Sequence, residues 1–446
     1  KAICLAVLGL ALGGVCAGAP RIQAQPRGSR GALEPLARRV ALRVSRLRGL
    51  PQERPLCVRE VSPRRLVDFV RARVRTQHEP GAIEREGRML GHLGLTRRPG
   101  DYEAAVLAAL EGEISGYYDP EGDCLYLADD GDPADLFPTL AHETVHALQD
   151  QHFDLGRLLA HRPGDSDRLQ ATAAVVEGDA SAVARALSEP GGGGVLRPRW
   201  VGEMRRALLA PVRSGAGTPL SRHLDRTFAF TYASGLDLVI RAHRRGGGWR
   251  GVDALLRSPP SSSEEVLHPR SRGGEPLRIR LPSLQGLGST STPVHADTLG
   301  ELVLGSALRE QLGEEEGAAA VAGWGGDLAL LFDDCPGPGR TCLVVATAWD
   351  HEGRRGEGAA SRFAAALSRA LESRHGAPAE RASDRVVHRL ADGSCTFASR
   401  RGRTVAYLEG VPCDRARATA GEAHDAALRA LGPTASAAGS GRSPGR

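Results

Sequence analysis

The stretch that decides the fold is Leu140-Ala141-His142-Glu143-Thr144-Val145-His146-Ala147-Leu148-Gln149-Asp150. Its apolar residues favour a helix that packs into a core. His142 and His146 are four residues apart, so on a helix they lie one above the other on the same face. Two imidazole nitrogens so placed can bind one zinc ion at about 2.0–2.1 Å each. Glu143 lies about 100° further round the helix, where it reaches a water molecule beside the metal.

The same pattern also has a purely structural interpretation. A five-residue pattern can arise by chance, and histidines of a packed helix can be satisfied by hydrogen bonds in the core. However, two histidines and a glutamate buried without partners would cost several kcal/mol. The apolar context of residues 140–148 therefore favours a metal site over core histidines.

A catalytic zinc site needs three protein ligands and an open position, and two residues compete for the third place. His152 lies ten residues after His142, which is the metzincin spacing. In that pattern a glycine lets the chain leave the helix, whereas this chain has Gln149, a good helix former. His152 is therefore the alternative ligand.

Glu177 is the preferred third ligand. It lies in a predicted Ala-rich helix over residues 166–188, among small residues that let another helix approach closely. A carboxylate buried there needs a cation to stay ionised, and zinc would supply one. An arginine partner is the structural alternative.

The pair of motifs His142-Glu143-Thr144-Val145-His146 and Val176-Glu177-Gly178-Asp179-Ala180 resembles gluzincin-type zinc metallopeptidases, over residues 114–182. Residues 116–120, 142–155, 262–269 and 323–327 resemble segments of a group of largely uncharacterised secreted bacterial proteins. The resemblance implies one zinc ion per chain, held by His142, His146 and Glu177. Thermolysin-type gluzincins have a supporting aspartate four residues after the ligand glutamate, where this chain has Ser181. Asp179 is the candidate replacement for orienting a ligand histidine.

The resemblance implies hydrolysis of a peptide or protein substrate. Zinc is expected to activate a water molecule, and Glu143 to act as the general base that passes the proton to the leaving amine. A donor for the oxyanion is also expected, and by residue type the candidates are His268, Tyr118 and Tyr232. The alternative is a catalytically inactive secreted metal-binding or scaffold protein. Glu143 favours the enzyme, because a structural metal site needs no general base.

The predicted fold class is α+β, with a mainly helical, zincin-like metallopeptidase domain over residues 25–295. A β-hairpin is expected before the His-Glu helix, because two β-prone runs flank the turn Asp119-Pro120-Glu121-Gly122. Its edge strand either pairs with an extended substrate peptide or is only structural. Further helices are predicted at residues 32–48, from 62, and at 101–113, 166–188, 200–211, 227–244 and within 259–269.

A smaller C-terminal α+β domain is predicted over residues 296–432. Its helices are expected at 298–312, 358–373 and 414–431, and its strands at 328–332, 343–348, 385–389, 394–398 and 404–409. Residues 433–446 are rich in Ser, Gly, Ala and Pro, which predicts a disordered tail.

Residues 1–24 are interpreted as a secretory signal peptide, because an uncharged run of small apolar residues follows Lys1. That run is too short to span a membrane, and no later stretch is expected to span one. The predicted location is outside the cytoplasm of a bacterium, secreted or periplasmic. Cys16 raises the alternative of a lipid anchor, but Val15 before it fits a lipobox poorly, so lipidation is not expected.

Two of the eight cysteines, Cys4 and Cys16, lie in the predicted signal peptide. The other six are even in number, which predicts disulfides in an oxidising compartment. Cys335–Cys342 and Cys395–Cys413 are the simplest local pairs and leave Cys57–Cys124, but the spacing does not decide the connectivity. The net charge of +5 arises from arginines dispersed along the chain, and only 4% of residues are aromatic. This composition excludes a nucleic-acid surface with stacking platforms.

Overall fold

The computed structural model describes residues 30–432 except 78, 112–113, 130–132, 161, 190–195, 270–274, 282–283, 288–291, 336 and 351–357. The predicted signal peptide, with Cys16, and the predicted C-terminal tail lie outside the described residues. The protein is α+β, as predicted, and divides into two compact units, of which the first ends at residue 273 and the second begins at 274. The sequence had placed this boundary at residue 295. The segment in between carries Ile279, Leu284 and Leu287, which pack into the core of the second unit.

The first unit is mainly helical. Its strands are β1 (Cys57–Val61), β2 (Gly116–Asp119) and β3 (Cys124–Ala128). Its helices are α1 (Arg30–Arg48), α2 (Pro63–Gln77), α3 (Ala82–His92), α4 (Tyr102–Glu111), α5 (Pro133–Phe153), α6 (Leu155–Leu158), α7 (Ser166–Ser188), α8 (Arg199–Leu208), α9 (Ala210–Arg213), α10 (Pro219–Phe228), α11 (Gly235–Arg245), α12 (Trp249–Arg257) and α13 (Ser263–Leu267). The segment Ala229–Ser234, between α10 and α11, is a π-helix.

The predicted hairpin is confirmed as β2 and β3, which pair antiparallel. The strand order is β1-β3-β2, so β2 is an edge strand of this three-stranded sheet. The sequence did not predict β1, which pairs parallel with β3. Cys57 of β1 lies directly opposite Cys124 of β3, and a disulfide joins them.

Helices α5 and α7 form the buried centre of the first unit. Residues 139–149 of α5 and 169–184 of α7 are all buried. The small residues predicted along α7 allow a close approach of the backbone at Gly178, where an added Cβ would collide with the backbone of Gly235. Gly235 in turn has no room for a Cβ beside the carbonyl group of Ala174. This contact places the π-helix against the middle of α7.

The second unit is a seven-stranded sheet with helices. In chain order its elements are β4 (His295–Asp297), α14 (Gly300–Leu312), α15 (Glu314–Val321), β5 (Trp324–Asp333), β6 (Thr341–Trp349), α16 (Ala359–His375), β7 (Glu380–Arg381), β8 (Arg385–Arg389), β9 (Cys395–Arg401), β10 (Thr404–Val411) and α17 (Ala416–Leu431). The strand order is β4-β5-β6-β10-β9-β8-β7, with every neighbouring pair antiparallel. Disulfides join Cys335 to Cys342 and Cys395 to Cys413.

Most predicted helices and strands are confirmed within a few residues, and one prediction was wrong in extent. The helix predicted from residue 227 begins at Pro219, where Thr218 and Ser221 form a capping box. Helices α3, α6, α12 and α15 and strands β4 and β7 were not predicted. Among the described residues, no helix has both the length and the apolar character that a bilayer crossing needs.

Candidate metal centre

Three side chains from the two central helices meet at one point. His142 and His146 lie on one face of α5, and Glu177 lies at the facing position of α7. The distance from His142 Nε2 to Glu177 Oε2 is 3.1 Å, and from His146 Nε2 to the same oxygen 3.6 Å. The two Nε2 atoms are 3.0 Å apart. The structure therefore brings together the three residues predicted as ligands, and this group could hold a metal ion.

The cluster is buried, which makes its charges costly. Glu177 and His146 have no exposed surface, and His142 is 5% exposed. Glu177 Oε1 has no hydrogen-bond partner among the described residues. Burial lowers the pKa of His142, although the hydrogen bond to Glu177 opposes this. Burial also opposes ionisation of Glu177, but the charge of His146 and hydrogen bonds from both histidines lower its pKa to about 2. An ionised Glu177 beside neutral imidazoles would lack a cation.

Glu143 is fully buried and lies beside the cluster. Neither of its carboxylate oxygens has a hydrogen bond of normal geometry from the described residues, although the Tyr118 backbone amide faces it. Burial raises the pKa of Glu143 to about 8; the charge of His146 opposes this, and that of Glu177 adds to it. Gly116 of β2 makes room for the side chain, because a Cβ there would lie 3.1 Å from Glu143 Cγ and 2.6 Å from Thr139 Cγ2.

On the side away from Glu177, His146 is supported by a chain of hydrogen bonds that includes Gln149 and Arg48, two residues that the sequence interpretation missed. Its Nδ1 lies 2.9 Å from Gln149 Oε1. Gln149 Nε2 donates to Val176 O at 3.1 Å and to Asp179 Oδ2 at 2.9 Å. The buried Arg48 of α1 donates through Nε to both carboxylate oxygens of Asp179, at 2.8 and 3.0 Å. Asp179 was predicted to orient a ligand histidine, and in the structure Gln149 lies between the two.

One sequence signal did point to Gln149. It follows His146 by three residues, and on a helix that spacing places two side chains on the same face. The sequence contains no corresponding signal for Arg48, which is 131 residues from Asp179.

The three candidate oxyanion donors lie in different surroundings. Tyr232 is on the π-helix, with its ring centroid 6.5 Å from that of His142. The hydroxyl oxygen of Tyr118 lies 2.9 Å from a carboxylate oxygen of Asp123 and 2.9 Å from one of Asp150, so its single proton is shared with these two acceptors. His268 is exposed at the end of α13, which does not suit a donor inside a buried site. Only Tyr232 is thus brought beside the cluster.

His152, the alternative ligand, lies away from the other two histidines. Helix α5 continues through Gln149 to Phe153, so His152 is about 120° from the metal-binding face. Its Nε2 lies 2.7 Å from Pro51 O, and its Nδ1 lies 3.4 Å from Glu53 Oε1. It also lines a surface cleft with Arg157 and Arg257. The metzincin arrangement is therefore wrong for this chain, because Gln149 continues the helix where a glycine would end it.

Comparison with known proteins gives one match. A family model described as a domain of unknown function (DUF8575) matches residues 290–420. This segment lies within the second unit and does not contain His142, His146 or Glu177. No curated protein and no solved structure matches the chain.

Proposed function

We propose that this protein is a zinc-dependent metallopeptidase of the gluzincin type, with a zincin-like first unit. The observation that carries the proposal is the convergence of His142, His146 and Glu177 beside the buried carboxylate of Glu143. Four residues that can bind or use a metal lie in two buried helices, where a structural role would favour apolar side chains.

The distances between the three converging atoms fit zinc. A tetrahedral ion with bonds of about 2.0–2.1 Å separates its ligand atoms by about 3.4 Å. The three separations in the cluster are 3.0, 3.1 and 3.6 Å. Two imidazoles and one carboxylate form the ligand set of several catalytic zinc sites. A divalent cation would also balance the charge of Glu177, whose Oε1 has no partner among the described residues.

In this proposal Glu143 is the general base. Zinc at the cluster would supply a Lewis acid that polarises a carbonyl group and makes water more acidic. The Glu143 carboxylate accepts a proton from the attacking water and delivers it to the amine nitrogen that leaves. Its raised pKa of about 8 suits proton transfer near neutrality, and a nearby cation would lower that value. The Tyr232 hydroxyl is the best-placed side chain to donate to the oxyanion.

The proposed substrate is a peptide or protein outside the cytoplasm. Three disulfides support an oxidising compartment. Strand β2 is an edge strand and touches Glu143 through Gly116, so an extended substrate could pair with β2 near the general base. Because β2 is buried, that pairing requires movement of the residues that cover it.

The proposal is tested by comparing cleavage by the zinc-loaded full chain with that by its Glu143→Gln variant, using labelled casein and a peptide library. We expect the variant to retain zinc and to lose cleavage by roughly 100-fold or more, because general-base catalysis typically contributes 10²–10⁴. Glu34→Gln, which removes an exposed carboxylate, should leave the rate unchanged. Undiminished cleavage by Glu143→Gln would contradict the mechanism. If the zinc-loaded chain cleaves nothing, the inactive metal-binding protein replaces this proposal.

A further inference from the structure

The orientation of the Gln149 amide is fixed by the atoms around it. Its nitrogen faces Val176 O at 3.1 Å and Asp179 Oδ2 at 2.9 Å. A backbone carbonyl and a carboxylate accept hydrogen bonds and cannot donate them. The NH2 group must therefore point toward these two oxygens, which leaves Gln149 Oε1 facing the ring of His146.

This orientation determines which nitrogen of His146 carries the proton. Gln149 Oε1 is an acceptor and lies 2.9 Å from His146 Nδ1, so Nδ1 must be protonated to donate. In a neutral imidazole the other nitrogen then has a free lone pair. That nitrogen, Nε2, is the one that faces His142 and Glu177. Gln149 thus turns the metal-binding nitrogen of His146 toward the cluster.

Asp179 and Arg48 hold Gln149 in place. The Asp179 carboxylate accepts from Gln149 on one side and from Arg48 Nε on the other, and all three residues are fully buried. Arg48 Nη2 lies 2.8 Å from Asp253 of α12, and its guanidinium lies 4.8 Å from the Trp249 ring centroid. Helices α1, α5, α7 and α12 all contribute to this arrangement. The ion pairs of Arg48 with Asp179 and Asp253 hold the guanidinium beside the Asp179 carboxylate.

We propose that Gln149 is a positioning residue that sets the tautomer of His146 for metal binding, and that Asp179 and Arg48 fix the Gln149 amide. The metal-binding part of this inference rests on the proposed function, whereas the tautomer does not. No described side chain does the same for His142 Nδ1. The two histidines of the motif are therefore supported unequally.

The tautomer can be measured without any metal. The full chain labelled with ¹⁵N-histidine and freed of metal is compared by long-range ¹H–¹⁵N NMR with His146→Gln, which identifies the His146 signals. We expect His146 to show the Nδ1–H form. In Gln149→Leu the ring should lose this preference. Gln149→Glu should keep it, because a glutamate oxygen can accept a hydrogen bond from His146 Nδ1 as the amide oxygen does.

Zinc affinity is the second readout, measured by competition with a chelator. Gln149→Leu should weaken zinc binding by roughly 10–100-fold, the usual effect of losing a supporting partner of a ligand histidine. Gln170→Leu is the matched control, since Gln170 is a buried glutamine of α7 that is 1% exposed. It should bind zinc like the wild type.

The inference is overturned if wild-type His146 shows the Nε2–H form, or if Gln149→Leu leaves both the tautomer and the zinc affinity unchanged. If Gln149→Leu does not fold, Asp179→Asn takes its place and is expected to weaken the preference, with Gln149→Glu as the variant that should keep it. Failure of the chain to bind zinc would defeat the proposed function and leave the tautomer result standing. A wrong tautomer would defeat this inference and leave the metal centre standing.

Discussion

Each unit of the protein buries a glutamate, and the two glutamates have very different partners. Glu177 of the first unit is 0% exposed, and Glu409 of the second is 5% exposed. Both have their pKa lowered to about 2. Burying a carboxylate costs several kcal/mol unless a cation and hydrogen bonds compensate. The question for each is which groups provide that compensation.

Glu409 is compensated entirely by the protein. Its Oε1 lies 2.9 Å from Arg374 Nη2 and 3.3 Å from His375 Nε2. Its Oε2 accepts from the hydroxyl groups of Thr396 and Tyr407, each at 2.8 Å. Burial opposes ionisation, but the hydrogen bond from His375 and the charge of Arg374 outweigh it. Both oxygens of this carboxylate accept hydrogen bonds from the protein, which is typical of a structural group.

Glu177 is compensated only in part. Two imidazoles face its Oε2, and Oε1 has no partner among the described residues. In the described part of the chain, no arginine lies beside Glu177 as Arg374 lies beside Glu409. The buried Arg48 is paired with Asp179 and Asp253 instead. The difference indicates that Glu409 has a structural role, whereas Glu177 keeps an oxygen without a protein partner, in a group that could hold a metal ion.

The largest expected effect is on zinc binding. Glu177→Gln should lower the zinc affinity by more than the roughly 10–100-fold that loss of a supporting partner costs, because it removes a direct ligand. Glu409→Gln should leave the affinity unchanged. Chelator competition on both full-length variants measures this difference. Equal affinities for Glu177→Gln and the wild type would remove the distinction between the two glutamates.

The effect on stability should be the reverse. Glu409→Gln removes the carboxylate partner of the half-buried Arg374, which should cost about 3 kcal/mol, the lower end of the range for a buried pair. Glu177→Gln in the metal-free protein should cost less than Glu409→Gln, since it leaves no arginine without a carboxylate partner. Urea unfolding of the full chain measures the stability of both variants, and hydrogen exchange shows which unit is affected. Glu380→Gln breaks a surface ion pair and should change stability by about 1 kcal/mol at most.

The pH dependence of the second unit should also come from Glu409. Its pKa is lowered from 4.5 to about 2 in the folded protein. The resulting stabilisation is present above pH 4.5 and is lost as the pH falls from 4.5 to 2. Between pH 5 and pH 3 the loss should be about 2 kcal/mol. Unfolding midpoints at the two pH values should differ less in Glu409→Gln than in the wild type; an equal difference would show that other groups cause it.

The smallest expected effect is that of His152→Ala. His152 contacts Pro51 and Glu53 at the surface end of α5, so its removal should change neither zinc content nor affinity. His146→Ala, in the same helix, is the positive control and should lose zinc. Loss of zinc from His152→Ala would revive the metzincin arrangement.

The sequence predicted those parts of the candidate site that depend on local geometry. His142, His146 and Glu143 follow from helical spacing, and Glu177 follows from the small residues around it on one predicted helix. Tyr118 and His268 were oxyanion-donor candidates by residue type alone. The Tyr118 hydroxyl instead contacts Asp123 and Asp150. The side chain of His268 is exposed to solvent. The role of Gln149 needed the position of Val176 and Asp179, which belong to another helix.

In the fold too, the sequence predicted the elements that local patterns determine and missed those that depend on contacts between distant residues. Helix α7 was predicted to the residue, because its Ala-rich sequence favours a helix throughout. Strand β1 has mostly half-exposed residues, and it becomes a strand only by pairing with β3, 67 residues away at the disulfide. The close contact between Gly178 and Gly235, beside the end of the π-helix, joins two distant parts of the chain and is not visible in any local pattern.

The central claim is tested most directly by the number and ligands of bound zinc ions. The full chain, reconstituted with zinc and washed, is examined by elemental analysis and by X-ray absorption at the zinc edge. The account predicts one zinc ion per chain, bound by two imidazoles and otherwise by oxygen at about 2.0–2.2 Å. No stoichiometric zinc, or a site with three imidazoles, would contradict it.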